Sequence, residues 1–103
     1  MSGSRTVKLP FFERFREPML AGVKVCTLRR DSRVKVWDRF ETFGHVFEVT
    51  EVQMATPDFV GRGFWKEEGC TSEDDFKAVW KKIHPRLSTE KYCRWIWFRR
   101  VSP

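Results

Sequence analysis

From residue 45 onward the chain alternates: Val46, Glu48, Thr50 and Val52 take one side, Phe47, Val49 and Glu51 the other. A period of two marks a strand. Gly44 separates this run from RVKVWDRFETF, and the pair reads as two strands joined by a turn near Thr42 to His45. The stretch KVCTLR reads as a further strand, and RTVKL, with Val7 and Leu9 alternating, as a short first one. Near the end, KYCRWIWFRRV is apolar on both sides: Tyr92, Ile96 and Phe98 oppose Cys93, Trp95 and Trp97. A strand of that kind belongs in the centre of a sheet or in a closed one.

Helical spacing appears in two places. Phe12, Phe15 and Met19 predict a short helix, with a break or tight bend at Pro18 and a stop at Gly22. TSEDDFKAVWKKIHP carries the clearest helix signal. Ser72 stands as cap three residues before Asp75, acids fill the first turn, and Phe76, Val79, Trp80 and Ile83 form a stripe that Pro85 ends. Between them TPDFVGRGFWKEEGC, with three glycines and a proline, reads mostly as loop, with one helical turn after Pro57. The sum is an α+β fold of about five to six strands, curled into a small barrel, with two to three flanking helices.

At 103 residues the chain predicts one domain over 1–103, large enough to stand without disulfides or a structural metal. Ten Phe and five Trp are more than such a core absorbs, so some are expected at a pocket or partner surface. The net charge of +6 points to anionic partners, nucleic acid or nucleotides ahead of a membrane surface. Cys26, Cys70 and Cys93 form no C-x-x-C pair and read as reduced, buried thiols. With His45 and His84 the only histidines, no metal-ligand spacing emerges, and neither a metal nor another cofactor is expected. No apolar run approaches the roughly 20 residues that span a bilayer, and MSGSRTVK lacks the apolar segment of a signal peptide. The expectation is a cytoplasmic monomer.

The order and spacing of several short motifs resemble the ASCH (activating-signal-cointegrator homology) family of PUA-like domains. Gly22, Lys24, Thr27 and Arg29 match a Gly-x-Lys-Thr-x-Thr-x-Arg motif that follows a first helix. Asp38 and Phe40 match an Asp-bearing strand. Glu68, Gly69, Phe76 and Trp80 match a Glu-Gly pair before an acidic-headed helix. The resemblance covers roughly residues 7–98. Two positions depart from it, Val25 where the family often has threonine and Trp37 where it usually has glycine. The resemblance implies a small curled β-barrel with helices at its side. Its functions are several: a bacterial member removes the acetyl group of N4-acetylcytidine, other members are RNA-binding modules, and one is a ribonuclease. The lysine–threonine–glutamate triad of the hydrolase would fall on Lys24, Thr27 and Glu68.

Amide hydrolysis needs a nucleophile, a base to activate it and an acid for the departing amine. Thr27 offers a hydroxyl, which is weak until a partner takes its proton. Lys24 serves as that base only when neutral, so its pKa must fall from about 10.4 towards 7 to 8. Burial and the nearby Arg29 and Arg30 push it down, and a neighbouring Glu68 pushes it up. Strand alternation adds a condition: Thr27 and Arg29 share a face that Lys24 does not, so Lys24 joins them only if it lies in the turn before the strand becomes regular.

Arg29 and Arg30 are candidates to hold a substrate, and Asp38 to contact it or to shape a turn. Phe64 and Trp65 sit in a glycine-flanked loop beside Glu68, where an aromatic either stacks on a base or closes over the core. Both a hydrolase of N4-acetylcytidine-type substrates and a non-catalytic RNA-binding module fit these residues. A ribonuclease fits the charge but lacks a histidine pair. The expected partner is a nucleoside or RNA, with no membrane.

Overall fold

The computed structural model describes residues 5–101. A single 3-10 turn, Glu13–Phe15, runs into helix α1 (Arg16–Leu20). Strands β1 (Cys26–Arg29), β2 (Arg39–Thr42) and β3 (His45–Ala55) follow, then helices α2 (Pro57–Phe64) and α3 (Glu73–Ile83), and strand β4 (Cys93–Arg100). The four strands form one antiparallel sheet in the order β1-β4-β3-β2, so the last strand is central, as its two apolar faces predict. Phe98 meets Phe11, Phe40 and Phe47 with ring centroids 5.4 to 5.9 Å apart on one face. Trp95 meets Phe64 and Phe59 at 4.8 and 6.0 Å on the other. A register shift between Val49 and Glu51 places a bulge midway along β3, which lets the long strand curl over this core.

Several expectations change. The strand read in residues 5–9 shrinks to one parallel bridge, Thr6 with Arg39, so the sheet has four strands and not five to six. Only Val7 N–H and Arg39 N–H make the pairing bonds there, and Pro10 has no N–H with which to extend them. Pro18 does not break its helix. It sits in the first turn of α1, where an amide hydrogen is not needed, and the change of winding falls at Phe15 instead.

The region read mostly as loop holds the two-turn helix α2. Thr56 Oγ1 accepts from Phe59 N–H at 3.1 Å and Pro57 opens the first turn, a start signal that outweighs Gly61 and Gly63. Gly61 faces the ring of Phe76, so the two helices pack closely. α3 follows its sequence signals. Ser72 Oγ accepts from Asp75 N–H at 3.0 Å, and Phe76 and Trp80 are buried. No helix among the described residues is long and apolar enough to cross a membrane.

Candidate functional site

Lys24 lies where strand alternation required it. α1 ends at Gly22, whose φ of +75° turns the chain sharply. The next two amides, Val23 and Lys24, both donate to the carbonyl of Pro18 at 2.9 Å, and Val25 N–H donates to Glu67 O. The segment is thereby clamped between α1 and the loop after α2, before β1 begins at Cys26. Lys24 is 2% exposed. Its Nζ donates to the carbonyls of Cys26 at 2.8 Å and Glu68 at 2.6 Å, and stands 3.8 Å from Glu68 Oε1. The amine also lies 4.5 Å from the ring centre of Phe15.

Gly69 makes this approach possible. At φ +86°, a Cβ there would lie 2.9 Å from Lys24 Cδ and 3.1 Å from Phe15. Glu68 is itself buried, and its Oε2 accepts from Trp95 Nε1–H at 3.0 Å. The carboxylate is therefore fixed on one oxygen by an indole and faces a lysine with the other. Thr27 is buried in β1, and Arg29 Nε–H donates to its Oγ1 at 3.1 Å. With that bond accepted, the threonine keeps its own hydrogen to give. The Arg29 guanidinium also donates to Pro10 O and lies 4.8 Å from the ring centre of Phe11.

Burial pulls the Lys24 pKa below its ordinary value; the Glu68 carboxylate opposes this and Arg29 adds to it. The competition posed by the sequence is thus decided by desolvation. Burial likewise lowers Arg29, and it raises the thiols of Cys26 and Cys70, the latter to about 11. All three cysteines are free and buried.

Lys24, Thr27, Glu68, Arg29 and Arg30 line one cavity of about 670 Å³, within the size range of ligand pockets. Its polar floor lies at the β1 edge of the sheet, its rim carries Arg30 and Lys8, and Phe11, Phe15, Phe76 and Trp80 supply apolar walls. Three other candidates lie outside its lining. Asp38 is buried in a turn, where it accepts from Lys35 N–H and pairs with Arg5 at 3.0 Å. Phe64 packs on Trp95 and Trp97, and Trp65 packs half-buried against the core. In both cases apolar packing takes the ring away from the cavity.

Sequence reasoning missed Trp95, Phe11 and Phe15 as parts of the site. Trp95 reads as core because its strand is apolar on both sides, and nothing local shows that its N–H has a carboxylate partner. His84 also lines the cavity, tilted against Trp80 with ring centroids 4.5 Å apart, and burial lowers its pKa.

This curled antiparallel sheet with three helices has the fold of a solved ASCH domain. Among solved structures, the ASCH domain from Lactobacillus crispatus superposes with a TM-score of 0.68 at 14% identity, covering 97% of this chain and 80% of that one. The hypothetical protein PH0355 gives 0.67 at 16% identity, covering 95% and 97%. Protein EF3133 of Enterococcus faecalis gives 0.60 at 15%, covering 86% and 71%. At such identities the likeness is one of fold. No family model and no curated protein sequence matches the chain.

Proposed function

We propose that the protein is an amidohydrolase that deacylates N4-acetylcytidine-type substrates. The observation that carries this reading is the buried Lys24 amine. Two carbonyls accept from Nζ, which accounts for both hydrogens of a neutral amine and leaves its lone pair to take a proton. Thr27 and Glu68 line the same cavity.

In this reading Thr27 Oγ1 attacks the acyl carbon as Lys24 Nζ takes the hydroxyl proton. Arg29, already hydrogen-bonded to Oγ1, supplies the guanidinium that stabilises the acyl carbonyl oxygen as it takes up negative charge. When the carbon–nitrogen bond breaks, Glu68 carries the proton from Lys24 to the departing N4 amine. Water then hydrolyses the acyl-threonine by the reverse proton path, releasing the carboxylic acid and restoring the hydroxyl.

The test is chromatographic conversion of N4-acetylcytidine to cytidine by wild type and by Lys24→Ala, Thr27→Ala and Glu68→Ala. Turnover by wild type and loss of about 100-fold or more in each folded variant support the triad. Folded wild type without turnover overturns it. One observation favours a second reading, a cleft that binds RNA without cleaving it: the Arg29 guanidinium has no carboxylate within ion-pair distance among the described residues, leaving it to a ligand's anion. Binding of RNA at the cavity by a turnover-deficient wild type is the outcome that selects it.

A further inference from the structure

Trp37 occupies a backbone position that glycine ordinarily takes. Asp38 N–H donates to Lys35 O at 3.0 Å, closing a four-residue turn over 35–38 with Trp37 third, and its φ is +78°. A left-handed third residue defines a type II turn, where glycine or asparagine is favoured and a bulky side chain is strained. The turn is held on every side. The Asp38 carboxylate accepts from Lys35 N–H at 2.8 Å and from Arg5 Nε–H at 3.0 and 3.1 Å. Trp37 N–H donates to Val49 O and Val49 N–H to Asp38 O, both at 2.8 Å.

Ring packing does not offset the strain. Trp37 is 56% exposed, and its ring stacks on no other ring among the described residues. A strained residue held by its surroundings, with its side chain directed outward, calls for a role beyond the fold.

Apart from Asp38, the charged residues that flank it from 33 to 39 are positive. Arg33 and Lys35 are exposed and make no ion pair among the described residues. Arg39 and Arg99 share the one carboxylate of Glu48, at 3.2 and 2.9 Å, leaving a positive charge over. The acid within the turn, Asp38, is buried against Arg5. An exposed aromatic side chain in a turn that also carries exposed cations matches a base with its flanking phosphates. A membrane-inserting loop would present several adjacent apolar side chains, and here Val36 is the one exposed companion in the turn.

We propose that the Trp37 turn is a docking site for single-stranded nucleic acid, with a base on the indole and phosphates on Arg33, Lys35 and Arg39. None of residues 33–39 lines the cavity, so the site is independent of the hydrolase reading.

The experiment is fluorescence anisotropy of a labelled oligouridylate 12-mer over a salt series, with wild type, Trp37→Gly, Trp37→Phe and Lys35→Glu. Trp37→Gly suits the left-handed φ, so its thermal midpoint stays at or above that of wild type. It is expected to weaken binding about tenfold or more at every salt concentration, while Trp37→Phe keeps most of the affinity. Lys35→Glu lowers the slope of log K against log salt by about one or more. Saturating N4-acetylcytidine does not displace the oligonucleotide. Equal affinity of Trp37→Gly and wild type overturns the proposal, as does wild type that binds no oligonucleotide. Trp37-dependent binding to phosphatidylserine vesicles in its place overturns it too.

Discussion

Trp95 ties the central strand to Glu68 in the segment after α2: the indole N–H donates to Oε2 at 3.0 Å, while Oε1 lies 3.8 Å from Lys24 Nζ. A core tryptophan thereby aims a buried carboxylate at a buried amine. Trp95→Phe keeps an aromatic ring in the core but leaves one carboxylate oxygen without its donor. The expected cost is about 1.5 to 3 kcal/mol in denaturant unfolding, the range for a hydrogen bond to a charged group, with turnover down at least about tenfold. Adding Glu68→Gln to that variant removes the buried charge and recovers stability without recovering turnover. Restored turnover would show that Glu68 carries no proton.

Gly69 is the other support of the site. Gly69→Ala forces a left-handed φ on a residue with a Cβ and drives that Cβ into Lys24. A loss of about 1 to 3 kcal/mol is expected, together with lost turnover because the amine is displaced. An unchanged midpoint and unchanged kcat would mean that Lys24 has room to move aside.

The depressed Lys24 pKa sets a pH dependence with a definite sign. Below the folded-state value both folded and unfolded chains carry the proton, and the fold bears the cost of a buried charge. Between that value and the ordinary 10.5 the unfolded chain binds a proton that the folded chain does not. Stability therefore rises with pH across this window. Lys24→Met abolishes the effect, so the difference between wild type and variant should grow in favour of wild type as pH rises towards 10.5 in denaturant titrations. The kcat/KM of wild type should rise over the acid limb as the amine loses its proton. A flat stability difference would place Lys24 in the same charge state folded and unfolded.

The thiols provide a check on the core. Burial raises the pKa of Cys26, Cys70 and Cys93, and all three are shielded. A thiol reagent at pH 8 should modify none of them within minutes in native protein, and all three at once in denaturant. Rapid labelling of Cys70, the residue of the three that lines the cavity, would show that the cavity opens to reagent.

Elements whose signals are local were legible from the sequence. α3 is written in its own cap and stripe, β3 in its alternation, and β4 in being apolar on both sides. α2 was obscured because Gly61 and Gly63 lower helix propensity, while the reasons it forms are the Thr56 cap and close packing on Phe76. Spacing also established that Lys24 joins Thr27 only from a turn outside the strand.

What the sequence did not contain is the protonation chemistry of the site. Lys24 and Glu68 are 44 residues apart, and Glu68 and Trp95 are 27 apart. Whether a lysine is solvated or buried, and whether a carboxylate is held or loose, depends on which distant segments pack over it. Residue types and order determined α1, α3 and most of the strands, and the family resemblance supplied the candidate triad. Tertiary structure alone decided that water is excluded from the amine and that an indole holds the acid, since desolvation belongs to the packed molecule and to no single stretch of chain.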